Sequence, residues 1–161
     1  MPERFTTSSA SSLSAHTTSI TGTLLGSEVI TYQVSFNDGL VTQNSLRQVQ
    51  GTAVTPANIT VSEVDPYDYG TFAVGSSNNY LFTLSNTGGV PATAISITSL
   101  GGEFDFVAGT FPGTGGNCGT TLGNGASCLI EVAFAPSSTG LKTDTIDVVY
   151  NNGAALQTSS R

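Results

Sequence analysis

Cys118 and Cys128 are the only cysteines in this 161-residue chain, and they flank a Gly-rich loop. Two thiols can hold a metal, stay free or join in a disulfide. A tetrahedral zinc site needs four ligands, and the only histidine, His16, lies far away in sequence. The favoured reading is a disulfide, with two free thiols as the alternative. Closing a loop of this size stabilises a fold by roughly 2 to 3 kcal/mol in the chain-entropy treatment. The bond would also imply an oxidising compartment.

The other chemistry-bearing residues form no constellation. Glu63, Asp65 and Asp68 could be an acid/base pair, but no second functional group is visible beside them, so they read as solvated residues in a connection entering a strand. Serine and threonine abound without a G-x-S-x-G elbow, and His16 sits in a Ser/Thr-rich stretch, which argues against a Ser-His-Asp triad. Asp68-Tyr69-Gly70 has no kinase motifs around it, and Asn58-Ile59-Thr60 matches a glycosylation sequon of a kind common by chance. We expect no catalytic residue, no cofactor and no metal site.

Composition narrows the partners. Four Lys and Arg against eleven Asp and Glu give a net charge of -7, which offers no footprint for nucleic acid or anionic lipid. No apolar run approaches the roughly 18 residues of a membrane helix, and the first 22 residues lack a signal-peptide core. Nucleic-acid binding and membrane insertion are therefore not expected. Residues 1–25 read as a flexible Ser/Thr-rich leader.

The elements that must position these residues are short strands. From Val29 the dominant period is two: Ile30, Tyr32, Val34 and Phe36 share one face, Thr31, Gln33 and Ser35 the other. Similar alternation marks Ile59 and Val61; Phe72 and Val74; Tyr80, Phe82 and Leu84; Ile95 and Ile97; Phe104 and Phe106; and Cys128 to Phe134. Each run ends in Gly, Asn, Asp or Pro, and no helical period is sustained. The chain also repeats itself. Residues 26–47 and 140–161 align without gaps at an offset of 114, with 8 identities in 22 positions, and Ile146, Val148 and Tyr150 fall on Tyr32, Val34 and Phe36. A period near the size of a small domain marks tandem repetition of a whole unit. The turns agree: Asn37-Asp38-Gly39 and Asn151-Asn152-Gly153 each join two extended runs, and Asn/Asp-Gly supplies the positive φ angles of a tight hairpin. Neither turn carries the further oxygen ligands of a calcium loop.

This pattern predicts an all-β, immunoglobulin-like antiparallel β-sandwich of about seven to eight short strands over 56–161, its last strand truncated. It is preceded by a hairpin over 26–55 equivalent to the last strands of an earlier repeat. Asp68 to Ser76, Phe82 to Gly88, Cys118 to Cys128, Val132-Ala133-Phe134-Ala135-Pro136 and Gly140 resemble the bacterial choice-of-anchor D repeats, relatives of the ASH (abnormal spindle and hydin) domains; Gly51-Thr52-Ala53 with Pro56 resembles their inter-repeat signature. The resemblance implies an immunoglobulin-like sandwich, often found in tandem in large secreted or surface-attached bacterial proteins.

The functional expectation is a non-catalytic structural or adhesive repeat module, extracellular or on the cell surface. Its partners would be neighbouring copies of the same domain, with a glycan or protein ligand also conceivable. The alternative is a self-assembling filament subunit, joined by strand complementation through its N-terminal segment. The residues expected to make the inter-repeat or inter-subunit contact are Ile30, Tyr32, Val34, Phe36, Leu46 and Val49.

Overall fold

The structure is a computed structural model that describes residues 14–15, 26–98 and 100–161. The chain divides after Val54 into two compact units.

The first unit is a three-stranded sheet in the order β1-β2-β3, formed by β1 (Ser14–Ala15), β2 (Gly26–Asn37) and β3 (Thr42–Ala53). Twelve residue pairs join β2 to β3, from Gly26 opposite Ala53 to Asn37 opposite Thr42. The segment expected to be a flexible leader is described only at Ser14–Ala15, which pairs with Ser35 and Val34 of β2. The rest of that leader lies outside the described residues.

The second unit contains eight strands in two four-stranded antiparallel sheets. One has the order β4-β5-β9-β7, from β4 (Ile59–Val61), β5 (Asn78–Asn86), β7 (Phe104–Phe106) and β9 (Ser127–Phe134). The other has the order β11-β10-β6-β8, from β6 (Ala92–Ile97), β8 (Thr121–Leu122), β10 (Asp147–Asn151) and β11 (Leu156–Ser160). The expected period of two is realised in burial. In β9, Cys128, Ile130, Val132 and Phe134 are buried and their neighbours are not; in and beside β10, Ile146, Val148 and Tyr150 are buried. These faces meet Ile59, Phe82, Leu84, Ala92, Ile95 and Leu122 in one core, the arrangement by which two sheets hide their apolar sides.

One expected strand does not form. Phe72 and Val74 alternate, but Ala73–Ser76 is a turn in which Ser76 donates to the Ala73 carbonyl through its N–H (3.0 Å) and its hydroxyl (2.6 Å). Gly75 supplies the positive φ of 84° that a strand would not tolerate. β8 had no alternation to reveal it, being two residues long.

Among the described residues the core holds one buried polar side chain, Asn86, at 1% exposure. Its amide NH2 donates to the carbonyls of Val90, Leu122 and Gly123, and its oxygen accepts from the N–H groups of Asn58 and Gly88. A single side chain thus ties the entry to β4, the β5–β6 turn and β8 together, with every polar atom satisfied. Gly88 is glycine for a related reason. A Cβ there would lie 2.1 Å from the Pro56 carbonyl oxygen.

Candidate functional site

The duplicated hairpins carry the positions expected to make contacts. The offset of 114 holds in the ladder as well as in the sequence. Gln33 opposite Leu46 becomes Asp147 opposite Ser160, and each following pair matches through Asn37 opposite Thr42 and Asn151 opposite Leu156. The next strand agrees too: β1 pairs Ala15 with Val34, where β6 pairs Ile97 with Val148. The first unit therefore reproduces the β6-β10-β11 order of the second.

The turns are built alike. Asp38 donates its N–H to the Val41 carbonyl (3.3 Å), and its carboxylate accepts from the N–H groups of Leu40 and Val41, both at 3.0 Å. Asn152 makes the same three bonds to Ala155, Ala154 and Ala155, at 2.9, 2.9 and 2.8 Å. Only the glycines take positive φ, 101° at Gly39 and 94° at Gly153. This differs from the expected tight turn: each loop has four residues, and the Asp or Asn acts as a side-chain cap rather than as a positive-φ residue. Asn151 accepts from Gly153 N–H at 2.8 Å, while the Asn37 side chain lies outside the described residues. The backbone N–H bonds to Leu40 and Val41, and a bond from Gln43, hold the Asp38 carboxyl below its ordinary range.

Burial separates the two copies. Val148 is fully buried and Tyr150 nearly so, while their equivalents Val34 and Phe36 are 39% and 42% exposed. The Tyr150 hydroxyl accepts the Ile59 N–H at 3.2 Å across the sandwich, a bond Phe36 could not make. Val49 is exposed and belongs by register to the face of Val34 and Phe36. Leu46, also exposed, pairs with Gln33 and lies on the opposite face, so the structure does not bring it together with the others. Ile30 and Tyr32 stand opposite Val49 and Arg47 in the ladder; their side chains lie outside the described residues.

Cys118 and Cys128 form the disulfide, with Cα atoms 5.0 Å apart. It pins the connection between β7 and β8 beside the half of β9 that β7 does not reach. Beyond β7, the Glu131 N–H donates to the Pro112 carbonyl at 2.7 Å and the Asn117 N–H to the Leu129 carbonyl at 2.9 Å, and the S–S bond fixes the loop where these contacts end.

A cleft of about 860 Å3 opens in the second unit, between the connection from β4 to β5 and the segment leading into β10. Sequence reasoning did not find it. Its aromatic wall is organised around Tyr69, whose hydroxyl donates to the Val132 carbonyl at 2.9 Å. The Tyr69 ring packs 5.7 Å from both Phe104 and Phe134, which stack on each other at 4.9 Å, and Phe72 meets Phe134 edge-on at 6.3 Å. Burial pushes the Tyr69 phenol far above its ordinary range. The rim is polar. Lys142 Nζ lies 3.2 Å from Glu103, whose carboxylate also accepts from the Ser137 N–H at 2.7 Å; that backbone bond, more than Lys142, holds its pKa below 4.5. Glu63 and Asp65 stand outside any group of three or more metal-ligating side chains, and none exists among the described residues. Asp68 caps Gly70 N–H at 2.7 Å. The cleft is suited to holding an apolar segment; on its rim the Ser138 hydroxyl accepts from Lys142 Nζ at 2.6 Å, and the same ammonium pairs with Glu103.

Two four-stranded antiparallel sheets closing on one core define an immunoglobulin-like β-sandwich. The sequence matches the HYDIN/CFA65/VesB-like, Ig-like domain family over residues 58–160, so the chain belongs to that family, whose fold suits a non-catalytic structural role. No curated protein matches the sequence. Among solved structures it is similar to a protein of unknown function from Porphyromonas gingivalis W83, at 13% identity and a TM-score of 0.42 over 88% of this chain. The chain spans 66% of that protein's length. No helix among the described residues is long and apolar enough to cross a membrane.

Proposed function

We propose that the chain is a structural or adhesive repeat module of an exported bacterial surface or secreted protein, working beside further copies of the same domain. The observation that carries this reading is the shared register of the two hairpins, because a unit repeated down to its ladder pairs and turn caps is a building block of an array. The Cys118–Cys128 bond supports an oxidising compartment, and the resemblance to choice-of-anchor D repeats supports a bacterial surface setting. Exposed Thr and Asn side chains would serve contact with glycans or proteins. Alkylation of the native protein without reductant, followed by mass spectrometry, tests the placement. A Cys118–Cys128 linked peptide is expected, and alkylated thiols would overturn it.

The exposure of Val34, Phe36 and Val49 favours a second reading, a subunit assembling head to tail into filaments. Negative-stain images of native material decide between them, threads supporting the filament and discrete particles removing it.

A further inference from the structure

Three of the five tyrosines meet beside β5 in the second unit. Tyr67, from the β4–β5 connection, lies against Tyr80 of β5 with ring centroids 4.1 Å apart and planes 30° from parallel. It meets its other aromatic neighbours, Tyr69 and Phe82, edge-on at 81° and 83°. Both Tyr67 and Tyr80 are half-buried. The Glu63 carboxylate acts on both phenols. Its bond to the Tyr80 hydroxyl, ahead of burial, raises that phenol above its ordinary range; burial, ahead of the Glu63 charge, raises Tyr67. The two hydroxyls also bond to each other, so the ring carbons ortho to them lie at the same end of the stack. Glu63 takes a φ of 74°, a conformation costly for a residue with a Cβ, and such strain gathers where a side chain must be placed. The other described tyrosines are engaged elsewhere: the Tyr69 hydroxyl donates to the Val132 carbonyl, and Tyr150 is buried with its hydroxyl on the Ile59 N–H.

We propose that Tyr67 and Tyr80 are a site of oxidative cross-linking, joined into a dityrosine by a peroxidase-class one-electron oxidant, with Glu63 as the proton acceptor for Tyr80. Loss of an electron makes a phenol strongly acidic, so a base already at the hydroxyl lets electron and proton leave together. Each phenol gives up one electron and its O–H proton, that of Tyr80 to Glu63 and that of Tyr67 to water. The two phenoxyl radicals then join through one ortho ring carbon of each. The hydrogens on those carbons move as protons to the oxygens and restore both phenols. The two electrons and two protons released reduce one hydrogen peroxide to two waters. Because the rings are already in contact, the bond forms within the chain rather than between chains. It would tie the β4–β5 connection, residues 62–77, to β5, a region that the Cys118–Cys128 bond does not span. The inference goes beyond the repeat-module reading: it requires an oxidant and no neighbouring copy, so the two fail separately.

The test is treatment of the full chain with a haem peroxidase and hydrogen peroxide at about 1 μM protein, far below the effective concentration of a partner within the same chain. The monomeric product should gain the blue fluorescence of dityrosine and lose two hydrogens in mass. Digestion should give a linked peptide pair holding Tyr67 and Tyr80. Tyr67→Phe and Tyr80→Phe, which keep the rings, should each abolish that pair. Glu63→Gln should slow its formation about tenfold or more, and Glu63→Asp should recover part of the rate. Because Gln keeps the shape and Asp keeps the charge, these two variants separate a proton acceptor from a residue that only shapes the loop. Absence of the linked pair, product joined only between chains, a pair that omits Tyr67 or Tyr80, or a rate unchanged in Glu63→Gln overturns the proposal.

Discussion

Residues 33–47 and 147–161 fold into hairpins with the same ladder pairs and the same capped turn, yet Val148 and Tyr150 sit in a core while Val34 and Phe36 face water. Local sequence is therefore enough to specify the hairpin: alternation sets the strands, and the Asp or Asn cap followed by Gly sets the loop. Burial is decided elsewhere. What buries Val148 is the opposing sheet of β4, β5, β7 and β9, whereas the described residues of the first unit form only β1, β2 and β3. The same segment is thus structural in one place and available for contact in the other.

The largest break in the comparison comes from placing a charge at the matched valines. Val148→Asp puts a carboxylate into a fully buried position with no partner and should cost more than about 4 kcal/mol, enough to unfold the second unit. Val34→Asp should change stability by less than about 0.5 kcal/mol. Thermal or urea unfolding of the two variants measures the difference, and similar losses would show that both faces are covered.

A smaller effect is expected at the matched aromatics. Tyr150→Phe leaves the buried Ile59 N–H without its acceptor and should cost about 1 to 3 kcal/mol. Phe36→Tyr places the same hydroxyl at a position that is 42% exposed, and the urea midpoint should not move.

The gentlest contrast is in the turns. Because the Asp38 carboxyl is held below 3.8 in the folded hairpin, its stabilisation is fully present above that pH and is lost as pH falls through the lowered folded value. Asn152 does not titrate. Amide exchange at Leu40 and Val41 should therefore gain relative to that at Ala154 and Ala155 on acidification, and Asp38→Asn should remove the difference.

How much of this was legible in the sequence depended on whether the information was local. The alternation of Cys128 to Phe134 and of Ile146 to Tyr150 announced buried strands, and the offset of 114 carried the register with it, since equal loop lengths force equal pairing. Phe72 and Val74 misled because two apolar residues at period two say nothing about Gly75 between the strands. Leu46 was grouped with Val34 because facing across a hairpin depends on the pairing sum, and Val34 meets Ser45, not Leu46. The Asn86 hub and the aromatic cleft were hidden for a common reason. Each joins segments distant in the chain, as Asn86 joins Asn58, 28 residues before it, to Leu122, 36 residues after it, and only the sandwich brings these together.

Native-state hydrogen exchange of the full chain tests the central claim most directly, that two hairpins of the same register and turn differ in stability through what covers them. Amides of β10 that bond to β11 should exchange only through global unfolding of the second unit, while their counterparts in β2 should exchange orders of magnitude faster through local opening. Equal protection in the two strands, in a monomeric sample, would contradict the account.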